Sequence, residues 1–65
     1  MKVPHPVRQL APLLDIPAAA QICCVSEKTI RRWIDAAELP AAKLGNQWRI
    51  RPHDLEDFIR ARLVR

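Results

Sequence analysis

The sequence predicts a mainly α domain with one small β-hairpin: three short helices plus a two-stranded wing. Three observations predict it. Apolar residues recur at helical spacing in three separate stretches, and each stretch opens on a capping residue or a proline. A Gly45-Asn46 pair stands between two short segments, the second of which alternates apolar and polar residues. The chain has 65 residues, which leaves room for one domain, and below roughly 70–80 residues a single core leaves a thin margin of stability. The expected division is an N-terminal arm over 1–14 and the folded domain over 15–65.

The arm is expected because Pro4, Pro6 and Pro12 exclude a long helix and push the residues before them toward extended backbone. Val7, Leu10, Leu13 and Leu14 are placed to tack it onto the core, and Lys2 and Arg8 to touch a phosphate backbone. The first helix is expected over 15–23. Asp15 is its N-cap, Pro17 lies in the first turn where a missing N–H costs nothing, and Ala18, Ala19 and Ala20 are strong helix formers. Ile16, Ala20 and Cys23 form its inward stripe. Cys24 and Val25 make a tight turn.

The second helix opens at Ser26, an N-cap, with Glu27 in the first turn where the helix dipole favours negative charge. Ile30, Trp33 and Ile34 recur at i, i+3 and i+4 and form one apolar stripe. This helix should end near Ala36 or Ala37, because Pro40 forbids continuation through Leu39. Leu39 then brings the chain back to the core. Two short helices joined by a few residues, the second cationic, are the helix-turn-helix arrangement.

The hairpin is expected over 41–51. Gly-Asn permits the positive φ that a two-residue hairpin turn requires. Period-two alternation puts Trp48 and Ile50 on one face and Gln47, Arg49 and Arg51 on the other. The last helix is expected over 52–63. Pro52 suits its first position and Asp54 its N-terminal end, and Leu55, Phe58, Ile59 and Leu63 keep a helical stripe. Arg60, Arg62 and Arg65 crowd its C-terminal end, where the dipole alone explains cations.

Composition narrows the function. The formal charge is +4 and the pI is near 9.8, which points to a polyanionic partner. His5 and His53 are isolated, and paired-carboxylate, nucleophile-elbow and phosphate-loop signatures are missing. Asp54 and Asp57 share a helix face, which solvated helix-end charge explains. The chain therefore reads as a binding module and not an enzyme, with no cofactor and no small-molecule substrate. Adjacent cysteines such as Cys23 and Cys24 do not meet disulfide geometry, and with His5 and His53 they lack metal-ligand spacing. No apolar run approaches the ~20 residues of a membrane span, and no signal-peptide core follows Lys2. A cytoplasmic, nucleoid-associated protein is expected.

The cationic residues concentrate on two elements. Helix 26–37 is expected in the DNA major groove, with Ser26, Lys28, Thr29, Arg31 and Arg32 as its contacts. Arg31 or Arg32 can be bidentate to a guanine edge, and Ser26 and Thr29 can bond a phosphate at the helix N-terminus. On hairpin 41–51, Lys43, Asn46, Gln47 and Arg49 surround the tip and Arg51 follows.

The ordered set Ala19-Ala20, Val25-Ser26, Thr29-Ile30 with Trp33-Ile34, Leu39-Pro40, Gly45, Trp48-Arg49-Ile50 and Asp54-Leu55 with Phe58 resembles the excisionase family, whose members share a MerR-like winged helix-turn-helix. The resemblance covers residues 16–63. It implies a winged helix-turn-helix that binds double-stranded DNA sequence-specifically, as a recombination directionality factor or a transcription regulator. It also implies that Lys43, Asn46, Gln47, Arg49 and Arg51 are wing contacts, mainly to the DNA backbone, and that an integrase or recombinase is a partner. The chain departs from the family in having Cys24 and Ala37 where glycine is frequent, Glu38 where a cation is frequent, and Ile16 where Ser or Thr often caps the first helix. Because one small module makes a small interface, cooperative self-association on DNA is expected. The competing reading is a protein-interaction or assembly module on the same fold, like a terminase small subunit or an antitoxin, suggested by Asp35, Glu38, Glu56 and Asp57.

Overall fold

A computed structural model describes residues 12–63. In chain order they form α1 (Ile16–Cys23), α2 (Glu27–Asp35), β1 (Ala42–Leu44), β2 (Gln47–Arg49) and α3 (Pro52–Ala61). Three helices and a two-stranded antiparallel hairpin make a winged helix-turn-helix, the expected fold. Val7 and Leu10, expected to tack the arm to the core, lie outside the described residues.

Both helix starts in the first half are capped by side chains. Asp15 accepts a hydrogen bond from the Ala18 N–H at 2.9 Å, so the acidic residue does the work of the Ser or Thr replaced at Ile16. Ser26 accepts from the Thr29 N–H at 3.1 Å. Each satisfies one of the backbone donors a helix N-terminus leaves unpaired.

Both helices also end alike. The Cys24 N–H bonds the Gln21 carbonyl and the Val25 N–H the Ala20 carbonyl; the Ala37 N–H bonds Ile34 and the Glu38 N–H bonds Trp33. This paired 5→2 and 6→1 closure is the Schellman motif, which requires a left-handed residue just past the helix. Here those residues are Cys24 at φ 58° and Ala37 at φ 60°, where a side chain is strained and glycine would not be. The two positions at which the resemblance leads one to expect glycine are thus the two non-glycine residues with positive φ among those described. The second helix stops at Asp35, one or two residues short of the expected end at Ala36 or Ala37.

The hairpin closes through Gly45-Asn46 with Leu44 opposite Gln47. Gly45 has φ 65°, and positive φ at the first turn position alone is the type II′ pattern. A further backbone pair joins the wing to the chain's entry: Leu14 and Ile50 exchange two hydrogen bonds of 2.8 Å each.

The core joins Ile16, Ala19 and Ala20 of α1, Ile30 and Ile34 of α2, Leu39, Ile50, and Leu55 and Phe58 of α3. Ile30, Leu39 and Ile50 are fully buried, each stabilising the fold by about 1.5–3 kcal/mol relative to exposure. Small Ala19 and Ala20 let α1 and α2 approach closely. Trp33 and Trp48 turn inward but stay half-buried against this cluster, with the Trp33 and Phe58 rings 4.7 Å apart. The stripe expected on the last helix is narrower than its spacing suggests. Leu55 and Phe58 are buried, whereas Ile59 is 38% and Leu63 69% exposed. The helix ends at Ala61, so Leu63 lies beyond it.

Candidate nucleic-acid interface

On α2 the apolar stripe is committed to the core, which fixes the direction of the rest. Lys28, Arg31 and Arg32 are exposed, and none has an acidic partner among the described residues. Ser26, Thr29 and Arg32 are brought together: the Ser26 and Thr29 hydroxyls lie 3.0 Å apart, and Arg32 Nη2 donates to Thr29 Oγ1 at 3.5 Å. The capping network therefore leans one guanidinium toward the helix N-terminus, where the dipole also favours an anion.

On the wing, strand register sorts the expected contacts onto two faces. Directly paired residues share a face, so Lys43 lies with Trp48, while Ala42 lies with Arg49 and Leu44 with Gln47. Lys43 Nζ sits 5.2 Å from the Trp48 ring centroid, a cation–π distance that holds the ammonium over the aromatic. Arg49 is drawn along its own strand: it donates to the Trp48 carbonyl at 2.8 Å and to Gln47 Oε1. Asn46 is exposed at the tip. Lys43 and Arg49 have no acidic partner among the described residues, but they face opposite sides of the hairpin.

Arg51 differs from the rest. Its Nε and Nη2 donate to both carboxylate oxygens of Asp54, at 2.6 and 3.0 Å. The hydrogen bond and the negative charge push the Arg51 guanidinium's pKa up. Hydrogen bonding to Arg51 holds the Asp54 carboxyl below its ordinary value, against a smaller opposing effect of burial. Solvated helix-end charge, the role expected of Asp54, is therefore not its whole role. The i, i+3 spacing of Arg51 and Asp54 at a helix start was the signal that pairs them. At the far end of α3, Arg60 pairs with Glu56 and Arg62 with Glu38, at 3.2 and 3.3 Å.

Leu44, 53% exposed beside the tip, is a further wing residue, apolar and so without a charge signal in the sequence. Cys23 is half-buried, and burial followed by the neighbouring Cys24 pushes its thiol pKa up, the opposite of what a reactive thiol needs. Among the described residues no group of three or more His, Cys, Asp or Glu side chains converges as a metal site would require, and no helix is long and apolar enough to cross a membrane. Lys2, Arg8 and His5 lie outside the described residues.

Residues 13–63 match a helix-turn-helix domain family. Over 49 residues the chain is 45% identical to the transcriptional repressor DcmR of Methylorubrum extorquens (strain DSM 6343 / CIP 106787 / DM4), a stretch that covers 72% of this chain and 18% of that protein. The similarity thus concerns a small part of that relative's length. No solved structure matches.

Proposed function

From the premise that the chain belongs to the helix-turn-helix domain family, a DNA-binding fold, we propose that it binds double-stranded DNA sequence-specifically and regulates transcription. Helix α2 enters the major groove, and the hairpin lies as a wing against the backbone or adjacent minor groove. The observation that carries this reading is the distribution of uncompensated charge. Lys28, Arg31, Arg32, Lys43 and Arg49 have no acidic partner among the described residues, while Arg51, Arg60 and Arg62 on or beside α3 each have one. Positive charge left unneutralised on a helix and a hairpin that share one core is suited to a polyanion.

In this reading Arg31 or Arg32 reads a guanine edge, and Lys28, Ser26 and Thr29 hold phosphates around the helix start. Asn46, Gln47, Lys43 and Arg49 bracket the backbone from the wing. The repressor similarity supports a regulatory role. The excisionase resemblance adds recombination directionality as the other use of the same contacts, with an integrase beside it. Adjacent copies on one duplex supply the affinity that a single small module lacks.

The test selects duplexes from a random pool and titrates the best and a scrambled duplex at two salt concentrations. Arg31→Ala should lose about 5–150-fold on the selected duplex, the equivalent of ~1–3 kcal/mol for a bidentate base contact. Arg49→Ala should weaken both duplexes alike and flatten the salt slope by about one phosphate's worth. Unchanged binding of both variants on every duplex contradicts the proposal. A second reading, a protein-interaction module, is favoured by exposed Ile22, Ile59 and Leu63, which border an open groove with Trp33 and Phe58. Stoichiometric recovery of a protein without nucleic acid would select it.

A further inference from the structure

We propose that Asp54 is a competitor for the DNA backbone built into the root of the wing: it occupies Arg51 until a closely fitted phosphate displaces it, and so raises discrimination between specific and random DNA. The inference rests on the DNA-binding reading above.

Three features carry it. The Arg51–Asp54 pair is the one two-point grip among the described ion pairs; Arg60–Glu56 and Arg62–Glu38 are single contacts. The two partners are unequally held. The Asp54 side chain is 13% exposed and the Arg51 side chain 71%, so the carboxylate is the fixed member and the guanidinium the one free to turn outward. Finally, Arg51 continues the alternation of Gln47 and Arg49, and Arg49, Arg51 and Asp54 line one open cleft of about 280 Å³ with Pro40, Ala41 and Ala42.

A phosphate approaching Arg49 in that cleft meets Asp54 as well as Arg51. Carboxylate and phosphate compete for the same planar fork of donors, since both accept bidentate hydrogen bonds from a guanidinium. A loosely held backbone does not dislodge the carboxylate, and Arg51 adds nothing to binding. A backbone pressed into the cleft by a well-matched major-groove contact gains Arg51 as an extra cation. The wing thus presents fewer free charges to random DNA than its sequence contains. Random-sequence affinity is almost wholly electrostatic, so it is the quantity that masking lowers.

The experiment measures affinity for the selected and a scrambled duplex between about 50 and about 200 mM salt, where slope counts neutralised phosphates. It compares wild type, Arg51→Ala, Asp54→Ala, the double variant, and Asp57→Ala as a charge control one turn along α3. On the scrambled duplex, Arg51→Ala should leave affinity within about twofold and the slope unchanged, whereas Asp54→Ala should steepen the slope by about 0.9. The double variant should return to the wild-type slope. Asp54→Ala should also lower the ratio of selected to scrambled affinity.

An unchanged slope in Asp54→Ala overturns the proposal, as does an equal steepening by Asp57→Ala, which would reduce the effect to net charge. Loss of slope in Arg51→Ala alone on the scrambled duplex also overturns it. If wild type binds no duplex, the DNA-binding reading falls and this inference with it; if wild type binds and the cycle shows no coupling, only the inference falls. Circular dichroism melts check folding, and Asp54→Asn, which keeps the side chain's shape, replaces Asp54→Ala if the latter does not fold.

Discussion

Replacing Ala37 by glycine should make this protein more stable, although it removes a methyl group and loosens the unfolded chain. Ala37 is exposed and holds φ 60°, with its N–H on the Ile34 carbonyl at 2.9 Å. A left-handed conformation costs a residue with a Cβ about 1–2 kcal/mol. Glycine escapes that cost but loses about 0.4–1 kcal/mol through the greater entropy of the unfolded state. The left-handed term is the larger, leaving a net gain of about 0.5–1 kcal/mol. For a domain of this size that raises the melting temperature by about 2–8 °C. The adjacent Ala36 is the control: also exposed, it has φ −83° and ψ 2°, where glycine brings only the entropic loss. Ala36→Gly should therefore melt lower than wild type and Ala37→Gly higher, in the same thermal scan monitored by circular dichroism. Cys24→Gly, at φ 58°, should move with Ala37→Gly. Shifts of equal sign for the two alanines, or an Ala37→Gly that melts at or below wild type, would refute the reasoning.

Two further outcomes can be checked on the same protein. Ser26→Ala removes the acceptor of the Thr29 N–H and should cost about 0.5–2 kcal/mol in urea denaturation, because an N-cap side chain satisfies an otherwise orphaned donor. Asp54 has a carboxyl pKa held below its unfolded value by Arg51. Its contribution is fully present above the ordinary carboxylate range and is lost as pH falls through that range toward the lowered folded value; acid unfolding of Asp54→Asn should accordingly show a flatter limb there than wild type.

Local chemistry made the elements legible in the sequence. Asp15 and Ser26 marked helix starts because short polar side chains can bond a free backbone N–H, and both do so. Gly45 marked the turn because a tight hairpin demands positive φ, and it has it. The periodic stripes found Ile30, Ile34, Leu55 and Phe58 in the core. What the pattern did not reveal depends on neighbours distant in sequence. Ile59 and Leu63 fit the stripe but stay exposed among the described residues, since periodicity names a face and not what lies opposite. Ala19, outside the expected inward stripe of Ile16, Ala20 and Cys23, is fully buried.

The same limit holds for the candidate interface. Residue type and exposure singled out Lys28, Arg31 and Arg32, whose charges prove uncompensated among the described residues. The partition of the wing into a Lys43 face and an Arg49 face follows from strand register, which turn length fixes and composition does not. The neutralisation of Arg51 needed the geometry of the helix start.

The reciprocal bonds between Leu14 and Ile50 make the hairpin a cantilever, clamped at its root and free at Gly45. Load applied to the polypeptide ahead of Leu14 bears on that root before it reaches any helix. Entrance and hairpin thus share one hydrogen-bonded root.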